Sequence, residues 1–132
     1  MKYLLTIYTD ESTFTDATPE EVQQLMAAYE AFGRAVSEAG AMLGGEGLQP
    51  SGTATTVQVR EGETITSDGP CADTREQLGG YYLLDCRDLD DALSWAARIP
   101  GAATGTIEVR PVMDYEAAGL NRHVQAREEG VR

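Results

Sequence analysis

Apolar and polar positions follow two different periods along this chain, and the switches between them mark its elements. Lys2-Tyr3-Leu4-Leu5-Thr6-Ile7-Tyr8 is rich in β-branched and aromatic residues and predicts a first strand. Tyr3, Leu5 and Ile7 fall on one face, and Leu4, Thr6 and Tyr8 on the other. Neither face is clearly solvent-like, so the strand is expected to be central and covered on both sides. Thr9 to Asp16 is polar and reads as a loop. The period then lengthens: Val22, Leu25, Met26, Tyr29, Phe32, Gly33 and Val36 recur at helical spacing. Thr18 fits the N-cap of this helix, Pro19 its first position, Glu21 the capping-box partner and Gly40 its end. Tyr29 and Phe32 are expected in the core.

Ala41 to Leu48 is a weak strand, in which Gly44, Gly45 and Gly47 signal a bulge or a close backbone approach. After the turn at Gln49-Pro50-Ser51-Gly52, Thr53–Arg60 and Glu63–Ser67 form a hairpin about Glu61-Gly62. Tyr81–Cys86 is a strand with two apolar faces. Asp88 caps a second helix whose inward stripe is Leu89, Ala92, Leu93, Ala96 and Ile99, stopped by Pro100-Gly101. Thr106–Pro111 is the last strand, with Ile107 and Val109 toward the helices and Glu108 and Arg110 opposite. These elements make a domain over residues 1–113. A polar extension follows over 114–132, expected to be partly helical from Tyr115 to Glu128 and to carry the solvated His123.

The order β-α-β, hairpin, β-α-β predicts an α+β, ferredoxin-like α/β sandwich with an extra β-hairpin. Two helices cover only one face of such a sheet. The economical cover for the other is the same face of a second copy, so a homodimer is expected, with Glu108 and Arg110 on or near the shared interior.

Charge narrows the function classes. The net charge is −12, and Lys2 is the only lysine among 10 basic residues. Such a chain argues against nucleic acid and anionic membranes as partners, because both need clustered Lys and Arg. No stretch approaches the ~20 apolar residues that span a bilayer, and the N-terminus enters a strand pattern directly. Two cysteines, Cys71 and Cys86, do not make a disulfide framework. A cytoplasmic protein is expected. No Cys/His metal spacing, Walker loop or dinucleotide fingerprint is present, and no cofactor is expected.

Candidate chemistry centres on residues 68–82. Asp68-Gly69-Pro70 forces a reversal, Asp73 can cap a short turn holding Arg75 and Glu76, and Gly79-Gly80 breaks that turn. Asp68 either accepts hydrogen bonds from its own turn or acts as a general base or ligand anchor. Arg75 and Glu76 form either a solvated turn or a site where Arg75 grips a carboxylate. Glu108 and Arg110, two apart on one strand face, suit an ion pair in the dimer cleft. Tyr8 and Tyr81 either pack or offer hydroxyls to a pocket. Cys71 follows a rigid turn with Arg75 four residues on, but lacks a nearby histidine and reads as an ordinary thiol. Cys86 reads as packing.

Lys2–Leu5 with Ile7-Tyr8, Gly45–Pro50, Ser67–Pro70 through Gly79–Tyr82, Trp95–Pro100 and Ile107–Pro111 together resemble the YCII-related family, specifically its DGPF subfamily. The resemblance implies a dimeric α/β-barrel of ferredoxin-like subunits. It implies little about reaction, though some such domains are encoded beside or fused to extracytoplasmic-function sigma factors. Two departures stand out. Cys71 replaces the family phenylalanine, and the His–Asp pair of the wider family cannot be carried over, since His123 is the single histidine. The expectation is a homodimer binding a small organic molecule beside the Asp-Gly-Pro loop, as a sensor or accessory protein. The alternative is a cofactor-free enzyme using Asp68 as acid/base on a lactone-like or similarly activated substrate.

Overall fold

The computed structural model describes residues 1–120. Six strands and three helices follow in the order β1 (Lys2–Thr9), α1 (Ser12–Thr15), α2 (Pro19–Glu38), β2 (Met42–Gly47), β3 (Thr55–Arg60), β4 (Glu63–Asp68), β5 (Gln77–Asp85), α3 (Leu89–Ala96) and β6 (Thr106–Pro111). Short 3-10 turns occupy Ser51–Thr53 and Pro100–Ala103. One antiparallel sheet has the order β2-β5-β1-β6, and β3 and β4 make a separate two-stranded ribbon. This α+β arrangement is consistent with a ferredoxin-like fold carrying an inserted hairpin. Within the chain the four-stranded sheet stays open and does not close into a barrel.

The helix signals operate as their chemistry requires. Thr18 Oγ1 accepts from the Glu21 amide at 3.2 Å, and the Glu21 carboxylate accepts from the Thr18 amide at 3.0 Å. Two of the helix's orphan donors are thereby satisfied reciprocally. Asp88 likewise accepts from the Asp91 amide at 2.9 Å and starts α3.

The core lies between these helices and one sheet face. Tyr3, Leu5, Ile7, Leu84, Phe32, Val36, Ala92, Ala96 and Ile99 are all buried. The Phe32 ring packs on Tyr82, with centroids 5.0 Å apart, and meets Trp95 edge-on at 6.2 Å. Burial pushes the Tyr29 and Tyr82 phenols and the Cys86 thiol above their ordinary values.

Some expected positions differ. Met26 of α2 and Leu89 and Leu93 of α3 are exposed. The buried stripe of α3 is narrow and consists of Ala92 and Ala96. The stretch expected to be loop contains α1, whose start is organised by Asp10: its Oδ1 accepts from the Ser12 amide and hydroxyl at 2.9 and 2.7 Å. Asp73 caps nothing. Thr74 shapes the segment instead, donating its hydroxyl to the Glu76 carbonyl at 2.6 Å. Gly79-Gly80 does not break this turn but lies within β5. The reason is contact distance: a Cβ on Gly80 would sit 2.9 Å from the Glu46 carbonyl, and one on Gly45 2.8 Å from that of Tyr81. Glycine at both places lets β2 and β5 pair, with a bulge between Met42 and Gly44. A turn over 114–120, closed by Asp114 Oδ1 accepting from the Ala117 amide at 3.0 Å, follows β6. The rest of the expected helical extension, with His123, lies outside the described residues.

β1 is central, as its two apolar faces suggest, yet the helices among the described residues cover only one of them. Register defines what the other carries. Leu83, Leu4 and Arg110 form one cross-strand row, and Glu46, Tyr81, Thr6 and Glu108 the next. Leu78, Tyr8 and Thr106 form a third row at the end where β1 stops.

Candidate ligand cleft

At that end of the open face, the loop entering β5 folds over the last residues of β1 and the first of β6. Between them lies a cleft of about 860 Å³. Tyr8 from β1 and Glu108 and Ile107 from β6 form its sheet side, and Thr74, Arg75 and Glu76 form the loop side. Asp10, Thr13, Thr104 and Thr106 complete the rim.

Hydrogen bonds fix this loop to three elements. Glu76 Oε1 accepts from the Thr106 hydroxyl at 2.8 Å, tying the loop to β6. The Gln77 side-chain amide donates to the Thr74 carbonyl and accepts, through Oε1, from the Glu11 amide at 3.1 Å. Glu11 in turn accepts from the Ser51 amide and hydroxyl, at 2.7 and 2.6 Å. The cleft loop and the root of the hairpin are therefore held by one short chain of polar contacts.

The electrostatics are mixed. Asp10 is held below the usual carboxylate range, chiefly by the Ser12 hydroxyl and then by the Ser12 amide, with a smaller contribution from Arg75. Arg75 Nε stands 4.0 Å from Asp10 Oδ2, while the Arg75 side chain keeps 92% of its surface in solvent. Glu108 is engaged by Arg110, whose Nη2 lies 2.9 Å from both carboxylate oxygens. The lining thus offers carboxylates, hydroxyls and one extended guanidinium. Among the described residues, no group of His, Cys, Asp and Glu is placed to hold a metal ion.

Residues 1–116 match the family described as the YCII-related domain. The chain belongs to that family. An uncharacterised protein of Rhizobium meliloti (strain 1021) is 40% identical over 122 residues, which is 91% of this chain and 98% of that protein.

This YCII-related domain brings together some of the residues singled out by sequence and separates others. Tyr8, Arg75, Glu76 and Glu108 line the cleft. Tyr81 and Arg110 do not line it, but both lie on the same open face, flanking Thr6 and Leu4 in the cross-strand rows. Asp68 stands apart. It ends β4, opposite Thr55, exposed and outside the lining. The Glu108–Arg110 pair forms, and in the single chain it is exposed rather than buried. Cys71 is exposed and Cys86 buried.

Sequence reasoning missed Asp10, Thr13, Thr74, Thr104 and Thr106. Asp10 alone had a local signal: an aspartate two residues before a serine is an Asx-type pattern that organises a turn. The threonines come from three separate stretches of the chain and carry no such mark. No described helix is long and apolar enough to cross a membrane.

Proposed function

We propose that this YCII-related domain works as a homodimer that binds a small organic molecule in the cleft under Thr74, Arg75 and Glu76, on the loop that follows the Asp-Gly-Pro turn. The supporting observation is the placement of Arg75 and Glu76, which the loop carries over Tyr8 and Glu108 around about 860 Å³ of open space. Arg75 suits a ligand carboxylate, since guanidinium engages that group through two parallel bonds. Glu76, Asp10 and the threonine hydroxyls suit donors elsewhere on the same molecule. A small hydroxy or amino acid fits both requirements. The Asp68 acid/base reading has no such support, because its carboxylate lies outside the lining.

Dimerisation is supported by the uncovered sheet face. Leu4, Tyr8, Leu78, Tyr81 and Leu83 lie on it with no helix of the described residues above them. A contiguous apolar face of this kind is a docking surface in soluble proteins. The same face on a second copy meets it by two-fold symmetry, and the pair of sheets then encloses a barrel. The Ser67-Asp68-Gly69-Pro70 tetrad supports placement in the DGPF subfamily, with Cys71 where that group has phenylalanine. A sensor or accessory role rests on that resemblance.

Thermal-shift measurements against a panel of hydroxy and amino acids test the cleft. One or more should stabilise the protein, and Arg75→Ala or Glu76→Gln should abolish the shift without changing the unliganded midpoint by more than a few degrees. Stabilisation that survives both substitutions would place the ligand elsewhere. Light scattering during size-exclusion at micromolar concentration should give at least twice the chain mass, and the mass of one chain would overturn the dimer.

A further inference from the structure

The hairpin β3–β4 is separate from the face just described. Among the described residues its outer edges have no strand beside them, and Val57, Val59 and Ile65 are 61%, 60% and 45% exposed. A lone two-stranded ribbon is marginally stable in water. Which of its backbone groups remain unpaired follows from its ladder. Gly69 N–H donates to the Ala54 carbonyl at 2.7 Å, one step beyond the Thr55–Asp68 pair. Bonded and non-bonded pairs alternate along an antiparallel ladder. Thr56, Gln58 and Arg60 therefore exchange bonds with β4, while Thr55, Val57 and Val59 aim their N–H and C=O groups at the free edge. The turn agrees: Glu61 and Gly62 both have positive φ, 51° and 79°, as a two-residue type I′ hairpin closed by Arg60 and Glu63 requires.

Natural edge strands are usually blunted by lysine, proline, charge or a bulge. Residues 55–59, Thr-Thr-Val-Gln-Val, have none of these. The β4 edge is different, because its outward residues are Thr64, Thr66 and the carboxylate of Asp68. Pairing β4 with a second β4 would bring two such charges to the seam of a chain already at −12. Pairing β3 with a second β3 brings none.

We infer that the free edge of β3 pairs antiparallel with the same edge of a second copy of this chain, centred on Val57. That register sets Val57 against the partner's Val57 and Thr55 against the partner's Val59. Every outward N–H and C=O then meets an outward counterpart. Arg60 falls opposite the partner's Ala54, so no like charges face each other. A shift of one residue would set outward groups against inward ones and lose the bonds. The two ribbons become one four-stranded sheet, with the valines and Thr64 and Thr66 of both copies on a common β-branched face. This contact uses a different surface from the open sheet face, and either can exist without the other.

Cysteine cross-linking in a Cys71→Ser background reads the register directly. A bonded antiparallel pair has Cα atoms about 5.5 Å apart, within disulfide reach. Val57→Cys should therefore link two chains in glutathione redox buffer. Val59→Cys should link at most about a tenth as much, since the two substituted positions lie four residues apart along the seam, roughly 13 Å. Val57→Lys, which sets two ammonium groups face to face, should weaken arm pairing about tenfold or more. It should also speed amide exchange at Thr55 and Val59. A folded Val57→Cys protein that stays unlinked overturns the inference. So does equal linking by Val59→Cys, or slow Val59 exchange that Val57→Lys leaves unchanged.

Discussion

The two faces of β1 are made from alternate residues of one eight-residue strand, yet they have different physical roles. Tyr3, Leu5 and Ile7 are 3%, 0% and 7% exposed beneath the helices. Leu4, Thr6 and Tyr8, one residue away in each case, are only half-buried. The covered side contains no buried polar or charged residue among those described, whereas the open side carries Glu46, Glu108 and Arg110 and ends at the cleft. Stability is concentrated on one side of the strand and recognition chemistry on the other. Neighbouring substitutions should therefore differ in kind as well as in size.

The largest effect belongs to Leu5→Ala. A fully buried leucine loses its transfer free energy and leaves a cavity, so about 2–5 kcal/mol should go from the unfolding free energy, read by denaturant titration. A loss under about 1 kcal/mol would mean the helices are not packed as described, since only a poorly packed site gives so little. Gly45→Ala should follow, at about 1–3 kcal/mol, because overpacking a tight contact is relieved only by moving backbone. The added methyl would meet the Tyr81 carbonyl oxygen and the Tyr82 ring carbon Cδ1, both at 2.8 Å. It should also loosen β2 in amide exchange before any other strand of the sheet.

Leu4→Ala sharpens the contrast most. If a second copy covers the open face, the substitution should cost about 1–2 kcal/mol, and the cost should depend on protein concentration, as linkage to association requires. A cost under about 0.5 kcal/mol, equal at all concentrations, is what a surface substitution gives and would leave the face in solvent.

How much of this was legible in the chain divides along similar lines. The central place of β1 was legible in its two apolar faces, though not which face the helices would take, and the helices were legible in the recurrence ending at Val36 and the caps at Thr18 and Asp88. Each of these is a local pattern enforced by repeated burial or by unsatisfied amides. The cleft was legible only in part. Arg75 and Glu76 were visible as charge on a constrained loop, and Glu108 as the outward residue of an alternating strand. Thr104 and Thr106 were not, because their importance comes from being gathered by the sheet rather than from neighbours in sequence. Asp68 was singled out from its turn, yet it lies outside the cleft lining. Turn chemistry identified the reversal at Gly69, where φ is +98°, but a turn motif does not say which way the flanking strand carries its side chain. The strand belongs to the hairpin, and Asp68 went with it.

The smallest predicted effect is that of acid, and it should be confined to the open end. Asp10 is held below the usual carboxylate range by the Ser12 hydroxyl and amide, with Arg75 contributing less. Because its folded value is depressed, its contribution to stability is complete above the unfolded value and disappears as pH falls through the folded one. No buried charged group stands on the covered side among the described residues to add a steep transition there. Acidification below the usual aspartate range should therefore loosen the Asp10–Ser12 corner and the adjoining Arg75 loop while the helix-covered core keeps its amide protection. Asp10→Asn should remove the pH dependence at Ser12 and leave that of the helix caps at Glu21 and Asp91, both also depressed, unchanged. Carboxyl chemical shifts followed by NMR titration would show it. An Asp10 midpoint at the ordinary value, or core amides that exchange in step with Ser12, would mean that the two faces are not separate in their response to protons.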